Sequence, residues 1–474
     1  MHARALLAAA LLCGALALGG PGAVAAQAGQ PLSGRAAAAR GPSVSGALSA
    51  LEHSGAITEA IYRQDYSAYT AAKHSLSRLS GTRRTELGAV LANVQAIAAA
   101  GEFTPTRLGA LFLTLEHNRS WWTSEPLLSN GERVSFPPSH IVWEYYAGQG
   151  IEIQWLATFG EANGYYLSGH ENSNLRQLLS EVIPLATDRA GGIAWEYMFR
   201  FDGGLPPWTS GLSQGTALQV LARAYSRFKE AADLTAAQQA LGIFETPPPA
   251  GVRVATAAGA AYAEYTYAPG DEILNGFIQS LVGLYDYTSI TKDPLGLQLF
   301  EAGDAQARAE VPRYDTGAWS LYDQFGESNL NYHELLTEFL EHLCERTRRG
   351  PPSTTAPAPA TGAPIPGDQI YCTTAQHFTT YLRTPPVISL ITTTLAGGTR
   401  AGVQVSLSKI STVRLTIRKG TRVVWTNSAY LTSGKPRLLW PTPAAGGTFS
   451  VTVSATDPAG NFATTTGAIV VKRH

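Results

Sequence analysis

The chain has 474 residues, too many for one ordinary core, so two folded domains with tails are expected. Apolar residues make up 45% and charged residues 15%, which excludes a chain too polar to bury a core. The net charge of −1 conceals an asymmetry: residues 385–474 carry +9, and the remainder carries −10. A basic tail on an acidic body points to an anionic polymer at the cell surface or simply to solubility of a small β domain, and no nucleic-acid partner is expected.

Residues 1–28 read as a signal peptide. His2 and Arg4 precede an apolar run from Ala5 to Leu18, and Ala23-Val24-Ala25 and Ala26-Gln27-Ala28 offer small-residue cleavage sites. No later stretch reaches the roughly 20 apolar residues of a membrane helix, so no transmembrane segment is expected. The reading is of a secreted or surface-associated product. Cys13 leaves with the signal, and Cys344 and Cys372 remain as an even pair in an exported chain, which argues for one disulfide over two free thiols. No cluster of His and Cys completes a zinc set, and neither metal nor organic cofactor is expected.

Residues 29–45, rich in Ala, Gly and Arg without apolar periodicity, read as disordered. From residue 46 the pattern is helical. Leu87, Val90, Leu91, Val94 and Ile97 recur at three and four. Helices are also expected over Glu152–Phe159 and Asn174–Ala186, from an N-cap at Ser213 through Phe228, over Ile273–Tyr285 and over Leu335–Leu343. Paired helices joined by long loops dense in Gly, Pro, Tyr and Trp favour an incomplete α/α toroid over 46–384 rather than a four-helix bundle. The Pro/Ala/Thr tract at 349–367 reads as an insertion, followed by a short helix from Cys372 to Leu382 that the disulfide would tie back. After Pro385-Pro386 the period becomes two: Val403, Val405, Leu407; Val413, Leu415, Ile417; Phe449, Val451, Val453. Residues 385–474 are therefore expected to form a small all-β sandwich, similar to the immunoglobulin-like modules appended to exported bacterial proteins.

No nucleotide loop, nucleophile elbow, HExxH or CxxC occurs. The chemistry-bearing stretches are aromatic and Gly-rich: Trp143-Glu144-Tyr145-Tyr146-Ala147-Gly148-Gln149-Gly150, Leu205-Pro206-Pro207-Trp208, Ala263-Glu264-Tyr265-Thr266-Tyr267, and Tyr314 to Tyr322 with Asn331-Tyr332-His333-Glu334. Flat rings with interspersed amides and carboxylates suit a sugar groove, although any single Tyr can equally be packing.

The runs Pro207-Trp208-Thr209-Ser210-Gly211-Leu212-Ser213-Gln214-Gly215, Leu274-Asn275-Gly276-Phe277-Ile278-Gln279-Ser280-Leu281 and Tyr314-Asp315-Thr316-Gly317 resemble the C-terminal catalytic domain of D-glucuronyl C5-epimerases, over about 141–382. Those enzymes convert D-glucuronate to L-iduronate in heparosan and N-sulfoheparosan. The resemblance implies an epimerase acting on a uronic-acid polysaccharide. It places acid/base work on Glu264 and Tyr332, with Tyr265 and Tyr322 supporting the charge. On residue chemistry those two tyrosines would donate to the substrate carboxylate, and His333 would orient Tyr332 rather than transfer a proton itself. Tyr314, Trp208 and Gln149 are further substrate-binding candidates. Asn275 is another, with packing or capping as its alternative. The family's arginine shortly after Tyr322 is absent, since Asp323-Gln324-Phe325-Gly326 stands there, and Arg200 and Arg313 are the candidates to replace it. Two rivals stay open: a uronate lyase using the same proton abstraction, and a non-catalytic glycan-binding protein.

Overall fold

The computed structural model describes residues 41–352 and 369–473. The proposed signal peptide, all but the last residues of the 29–45 segment, and most of the Pro/Ala/Thr tract lie outside the described residues. The chain forms two compact units. The first takes Met1–Glu272, Gly276–Ala307 and Arg349–Ala360; the second takes Ile273–Asn275, Arg308–Arg348 and Thr361–His474.

The first unit opens with four helices, α1 (Val44–His53), α2 (Glu59–Arg78), α3 (Gly81–Ala99) and α4 (Pro105–Ser124). Ser43 caps α1 by accepting from the Gly46 N–H at 3.1 Å, so Val44 and Ser45, read from the sequence as part of the disordered 29–45 segment, are already helical. Then come β1 (Arg133–Val134), β2 (Trp143–Tyr146) and β3 (Gly150–Ile153), an antiparallel sheet. Helices α5 (Trp155–Ser168) and α6 (Asn172–Val182) follow. A helix was expected from Glu152, but Glu152 and Ile153 are strand residues. Four consecutive buried positions, Gly150 to Ile153, fit a strand covered on both faces, and helix begins only after Gln154. Hairpins β4 (Thr187–Arg189) with β5 (Gly192–Ala194) and β6 (Arg253–Ala255) with β7 (Ala260–Tyr262) flank α7 (Gly211–Phe228), α8 (Ala231–Gln239) and the single turn α9 (Gly242–Glu245).

Helix α7 is buried almost all round, as a core helix should be. Its N-cap is Ser210, whose hydroxyl accepts from the Ser213 N–H; Ser213 lies inside the helix and bonds back to the Ser210 carbonyl, which corrects the expected cap. Helix α10 (Leu274–Thr291) runs against α7, and a Cβ on Gly283 would stand 2.1 Å from the Gly215 carbonyl oxygen. Only glycines let the two backbones approach so closely. Gln279 secures the same contact through Thr216 and Gln219. Helix α11 (Pro294–Glu310) is next in the chain.

The second unit contains α12 (Leu330–Thr347) and α13 (Gln369–Tyr381), which pack together and are joined by the Cys344–Cys372 disulfide. Strands β8 (Ile388–Leu390), β9 (Thr394–Ala396), β10 (Arg400–Leu407), β11 (Ser411–Lys419), β12 (Arg422–Leu431), β13 (Arg437–Pro441), β14 (Gly447–Thr456) and β15 (Phe462–Lys472) form its β part. They make a three-stranded sheet, β13-β10-β8, and a five-stranded sheet, β12-β11-β14-β15-β9, antiparallel except for β15 with β9. The expected alternation holds: Val403, Val405, Val413, Leu415, Ile417, Phe449, Val451 and Val453 all enter one core, with Trp440 among them. The molecule is thus largely helical with a β-rich C-terminal region.

Candidate active site

In the first unit the candidate residues gather around Glu264. The segment after β7 is pinned to the start of α7: Gly211 N–H donates to the Ala263 carbonyl at 3.1 Å, and Thr266 N–H to the Thr209 carbonyl at 3.1 Å. Glu264 is thereby held at 4% exposure with its Oε2 lacking any hydrogen-bond partner. Burial pushes its carboxyl up to about 7, opposed only by a hydrogen bond from Tyr265. Room for the carboxylate depends on Gly276, where a Cβ would lie 2.5 Å from Oε2. A carboxyl poised near neutrality can accept or return a proton at physiological pH.

Rings enclose it. Tyr265 stacks on Tyr267 at 5.3 Å and meets the edge of Trp208 at 5.7 Å; Trp208 stacks on Tyr197 at 4.2 Å. Trp208 is 2% exposed and donates its indole N–H to the Phe199 carbonyl, so it packs the wall, and the open sugar platform the sequence offered there is not present. Tyr197 is a neighbour the sequence reading missed. Its hydroxyl accepts from Leu156 N–H and donates to Gln154 Oε1 at 3.3 Å. Burial raises its phenol above the ordinary value, and the charges of Glu264 and Glu144 add to that, which keeps it a donor. Its placement comes from Glu196 beside it, fully buried and bonded by Arg107 Nε at 2.6 Å, Arg107 Nη2 at 3.0 Å and Arg189 Nη1 at 2.5 Å. A regular alternation, Trp195, Tyr197, Phe199, was the available signal.

Two further buried carboxyls lie on the β2–β3 hairpin, where Glu144 and Glu152 face each other across the strands. Burial raises both. Tyr146 completes the row, accepting from Gln154 Nε2 at 2.7 Å. The tip of the hairpin is fixed by Glu86, which accepts from Tyr145, Gly148 N–H and Gly150 N–H. Gln149 sits at this tip, partly exposed, with Oε1 taking the Arg200 N–H at 3.2 Å. The Arg200 side chain is exposed.

In the second unit Tyr322 and Tyr332 come together, ring centroids 4.5 Å apart, both partly exposed. Tyr332 lies in the first turn of α12, where Asn329 caps its N–H at 2.9 Å. Tyr322 begins a tight turn in which Asp323 accepts from Phe325 and Gly326 N–H groups and Tyr322 N–H reaches the Gly326 carbonyl. Phe325, in the stretch where the arginine was missed, is 81% exposed. Arg313 is exposed as well. Asn275 is 2% exposed with neither amide atom partnered, a buried polar group whose bonds a ligand could complete.

His333 does not do what its place beside Tyr332 suggested. Its Nε2 reaches the Phe378 carbonyl at 3.0 Å, a pure acceptor, so that nitrogen carries the proton; Nδ1 accepts from Ser320 N–H at 3.2 Å. The ring lies flat on Trp319 at 3.8 Å, and burial holds its pKa down at about 4. It is a neutral, fully buried residue whose two ring nitrogens are both taken, by the Phe378 carbonyl and by Ser320. Tyr314 is buried too, its hydroxyl directed to Glu310. The Asp315 of the same motif ties its turn to α13, accepting from His377 at 2.8 Å, Tyr381 at 2.9 Å and Gly317 N–H at 2.8 Å. An open groove of about 450 Å³ is lined by Pro312, Asp315, Ile370, Thr374, His377 and Tyr381, and neither Tyr322 nor Tyr332 lines it.

Among the described residues no cluster of three His, Cys, Asp or Glu could hold a metal, and no helix is long and apolar enough to cross a membrane.

Comparison with known proteins bears on the segment that holds Glu264, Tyr265, Tyr322 and Tyr332, whereas the β2–β3 hairpin and α13 lie outside it. Residues 189–353 match the family described as the D-glucuronyl C5-epimerase C-terminus. A D-glucuronyl C5-epimerase of Caenorhabditis elegans is 35% identical over 133 residues, 25% of this chain and 22% of that protein. An uncharacterized protein of Methanocaldococcus jannaschii is 28% identical over 151 residues, 30% of this chain and 49% of that one. The chain thus spans less than half of either relative. Among solved structures an engineered protein aligns over 67% of this chain and 81% of its own at 14% identity, with a TM-score of only 0.16.

Proposed function

Because residues 189–353 fall with the C-terminal domain of the D-glucuronyl C5-epimerase family, we propose that this protein is an exported polysaccharide epimerase that inverts C5 of D-glucuronate residues to L-iduronate in a heparosan-like polymer. The observation that carries the reading is Glu264: a buried carboxyl, near-neutral in pKa, with one oxygen unpartnered, inside the matched segment. In this mechanism the Glu264 carboxylate takes the C5 proton and the C–H electrons pass into the uronate carboxyl as an enolate. The Tyr332 phenol then gives a proton to the opposite face, leaving Glu264 protonated and Tyr332 ionised until solvent restores both. Tyr265 and Tyr322 donate to the uronate carboxylate, masking the charge that opposes enolate formation. Exposed Phe325 gives a sugar face an apolar partner in place of the arginine.

The same reading takes the helical body as an incomplete α/α toroid and residues 385–474 as an immunoglobulin-like module that meets an anionic surface polymer. Arg414 and Arg418 support the latter. They alternate with buried Val413, Leu415 and Ile417 and so stand on the outer face of β11, opposite Ser428, Ser454 and Ser450. The one acid of residues 385–474, Asp457, is buried against Lys409 and neutralises none of them.

The test is solvent exchange. Incubated in heavy water with heparosan or other glucuronate polymers, the protein is expected to place deuterium at C5 and to yield iduronate signals by NMR. An absorbance rise from an unsaturated product would identify a lyase instead. Binding without exchange on any glucuronate polymer would leave a glycan-binding protein and end the epimerase reading.

A further inference from the structure

Between Tyr322 and Tyr332 runs a loop whose contacts reach into the β-sandwich. Glu327, bridged to Leu321 across the turn, directs both carboxylate oxygens there: Oε1 accepts from Ile410 N–H at 3.1 Å and Oε2 from Ser433 N–H at 2.7 Å. These two amides belong to separate connections, one before β11 and one after β12. A single loop carboxylate therefore caps the start of β11 and the end of β12, which pair as neighbours at one end of the sandwich, with charge-assisted bonds.

A second contact backs the first. Lys409 is 1% exposed, and its ammonium has three acceptors for its three hydrogens: Asp457 Oδ2 at 2.6 Å, the Tyr381 carbonyl at 2.8 Å and the Thr384 carbonyl at 2.5 Å. Its remaining side lies over the Trp319 ring, 5.1 Å from the centre. Trp319 in turn stacks on His333 and donates its indole N–H to the Ser328 carbonyl, while Ser328 N–H bonds back to the Ser320 carbonyl. The cation thus braces the residues on both sides of the loop. Asn461 adds a bond from the sandwich to the Leu382 carbonyl at the end of α13. The charge of Lys409 also opposes protonation of His333, so the histidine stays a neutral acceptor for Ser320.

We propose that Glu327 and Lys409 make the C-terminal β-sandwich a positioning element for the loop that presents Tyr322 and Tyr332. Neither residue touches substrate; each acts through the tyrosines. The alternative is that these contacts merely hold the sandwich in place, in which case weakening them lowers stability and leaves the tyrosine loop as ordered as before. The catalytic consequence rests on the epimerase reading, whereas the ordering of the loop does not.

The experiment uses the full-length chain with Glu327→Gln, Lys409→Met and, as a control elsewhere on the sandwich, Arg422→Ser. Amide hydrogen exchange by mass spectrometry is followed for peptides covering 320–332 and, separately, for β11 and β14. C5 exchange on heparosan gives kcat and KM. In Glu327→Gln the amides of 320–332 are expected to exchange about tenfold faster while β11 and β14 keep their protection, because charge-assisted bonds to the loop are lost and the sandwich core is untouched. Lys409→Met is expected to loosen the same peptides, and Arg422→Ser to change nothing. With turnover measurable, kcat falls about tenfold in Glu327→Gln at unchanged KM and unchanged melting temperature. Unaltered exchange at 320–332 in folded Glu327→Gln overturns the proposal, as does a loss confined to melting temperature. If loop exchange rises but wild-type protein turns over no glucuronate polymer, the positioning role stands and the epimerase assignment fails.

Discussion

Replacing Glu264 by Gln isolates the free energy of keeping this carboxyl charged inside the protein. Burial raises its pKa from the ordinary 4.5 to about 7. A tenfold change in proton affinity is worth about 1.4 kcal/mol, so ionised Glu264 burdens the folded state by about 3 kcal/mol. Below about pH 4.5 the carboxyl is neutral in both folded and unfolded chains, and the burden is absent. As pH rises towards 7 the unfolded chain releases its proton more readily than the folded one, and wild-type stability declines; above 7 the full cost is present. Gln has no proton to lose. Its stability relative to wild type should therefore climb from a constant offset near pH 4.5 to about 3 kcal/mol above that offset at pH 8.5. Denaturant unfolding at a series of pH values measures it, followed by tryptophan emission, to which buried Trp122, Trp143, Trp155 and Trp195 of the first unit contribute alongside Trp319 and Trp440 of the second. A difference between the two proteins that stays flat with pH would show that Glu264 is not a desolvated carboxyl, and the acid/base role would lose its physical basis.

Three other outcomes follow from the geometry. Tyr332→Phe removes one hydroxyl from a partly exposed ring and should leave unfolding free energy within about 0.5 kcal/mol of wild type. It should reduce C5 exchange about a hundredfold or more, and retained exchange would remove Tyr332 from the chemistry. Gly276→Ala sets a methyl 2.5 Å from Glu264 Oε2. It should cost about 1–3 kcal/mol of stability and, by displacing the carboxylate, about a hundredfold in kcat, read from the same NMR assay. Reducing Cys344–Cys372, 28 residues apart, should lower stability by about 3 kcal/mol in the loop-closure account, measured by unfolding with and without dithiothreitol.

How far each feature could be read in advance follows from what surrounds it. Strands β10, β11 and β14 have one covered face, so Val403-Val405, Val413-Leu415-Ile417 and Val451-Val453 alternate cleanly with polar residues. Strands β12 and β15 escaped notice because most of their residues are at least partly exposed, and Arg422 to Leu431 shows no clean apolar row. The β2–β3 hairpin was hidden for the opposite reason. Trp143 to Tyr146 and Gly150 to Ile153 are buried throughout, and its carboxyls point inward, which a polarity pattern cannot anticipate. His333 misled because sequence neighbours on a helix project about 100° apart. Sharing a dipeptide with Tyr332 is thus a reason for the two rings to diverge. Glu264 was legible as a residue type in its motif; its unpartnered oxygen and its dependence on Gly276 arise from backbone approach between segments distant in sequence.

The bridge between Cys344 and Cys372 has a topological consequence for the Pro/Ala/Thr tract it encloses. A protease that cuts once anywhere between the two cysteines opens the peptide chain without separating its parts, because the sulfurs still join them. Such a nicked molecule would migrate as one species without reductant and as two fragments with it. A single cut between the cysteines would therefore leave the amino-terminal fragment holding α13 and everything that follows it.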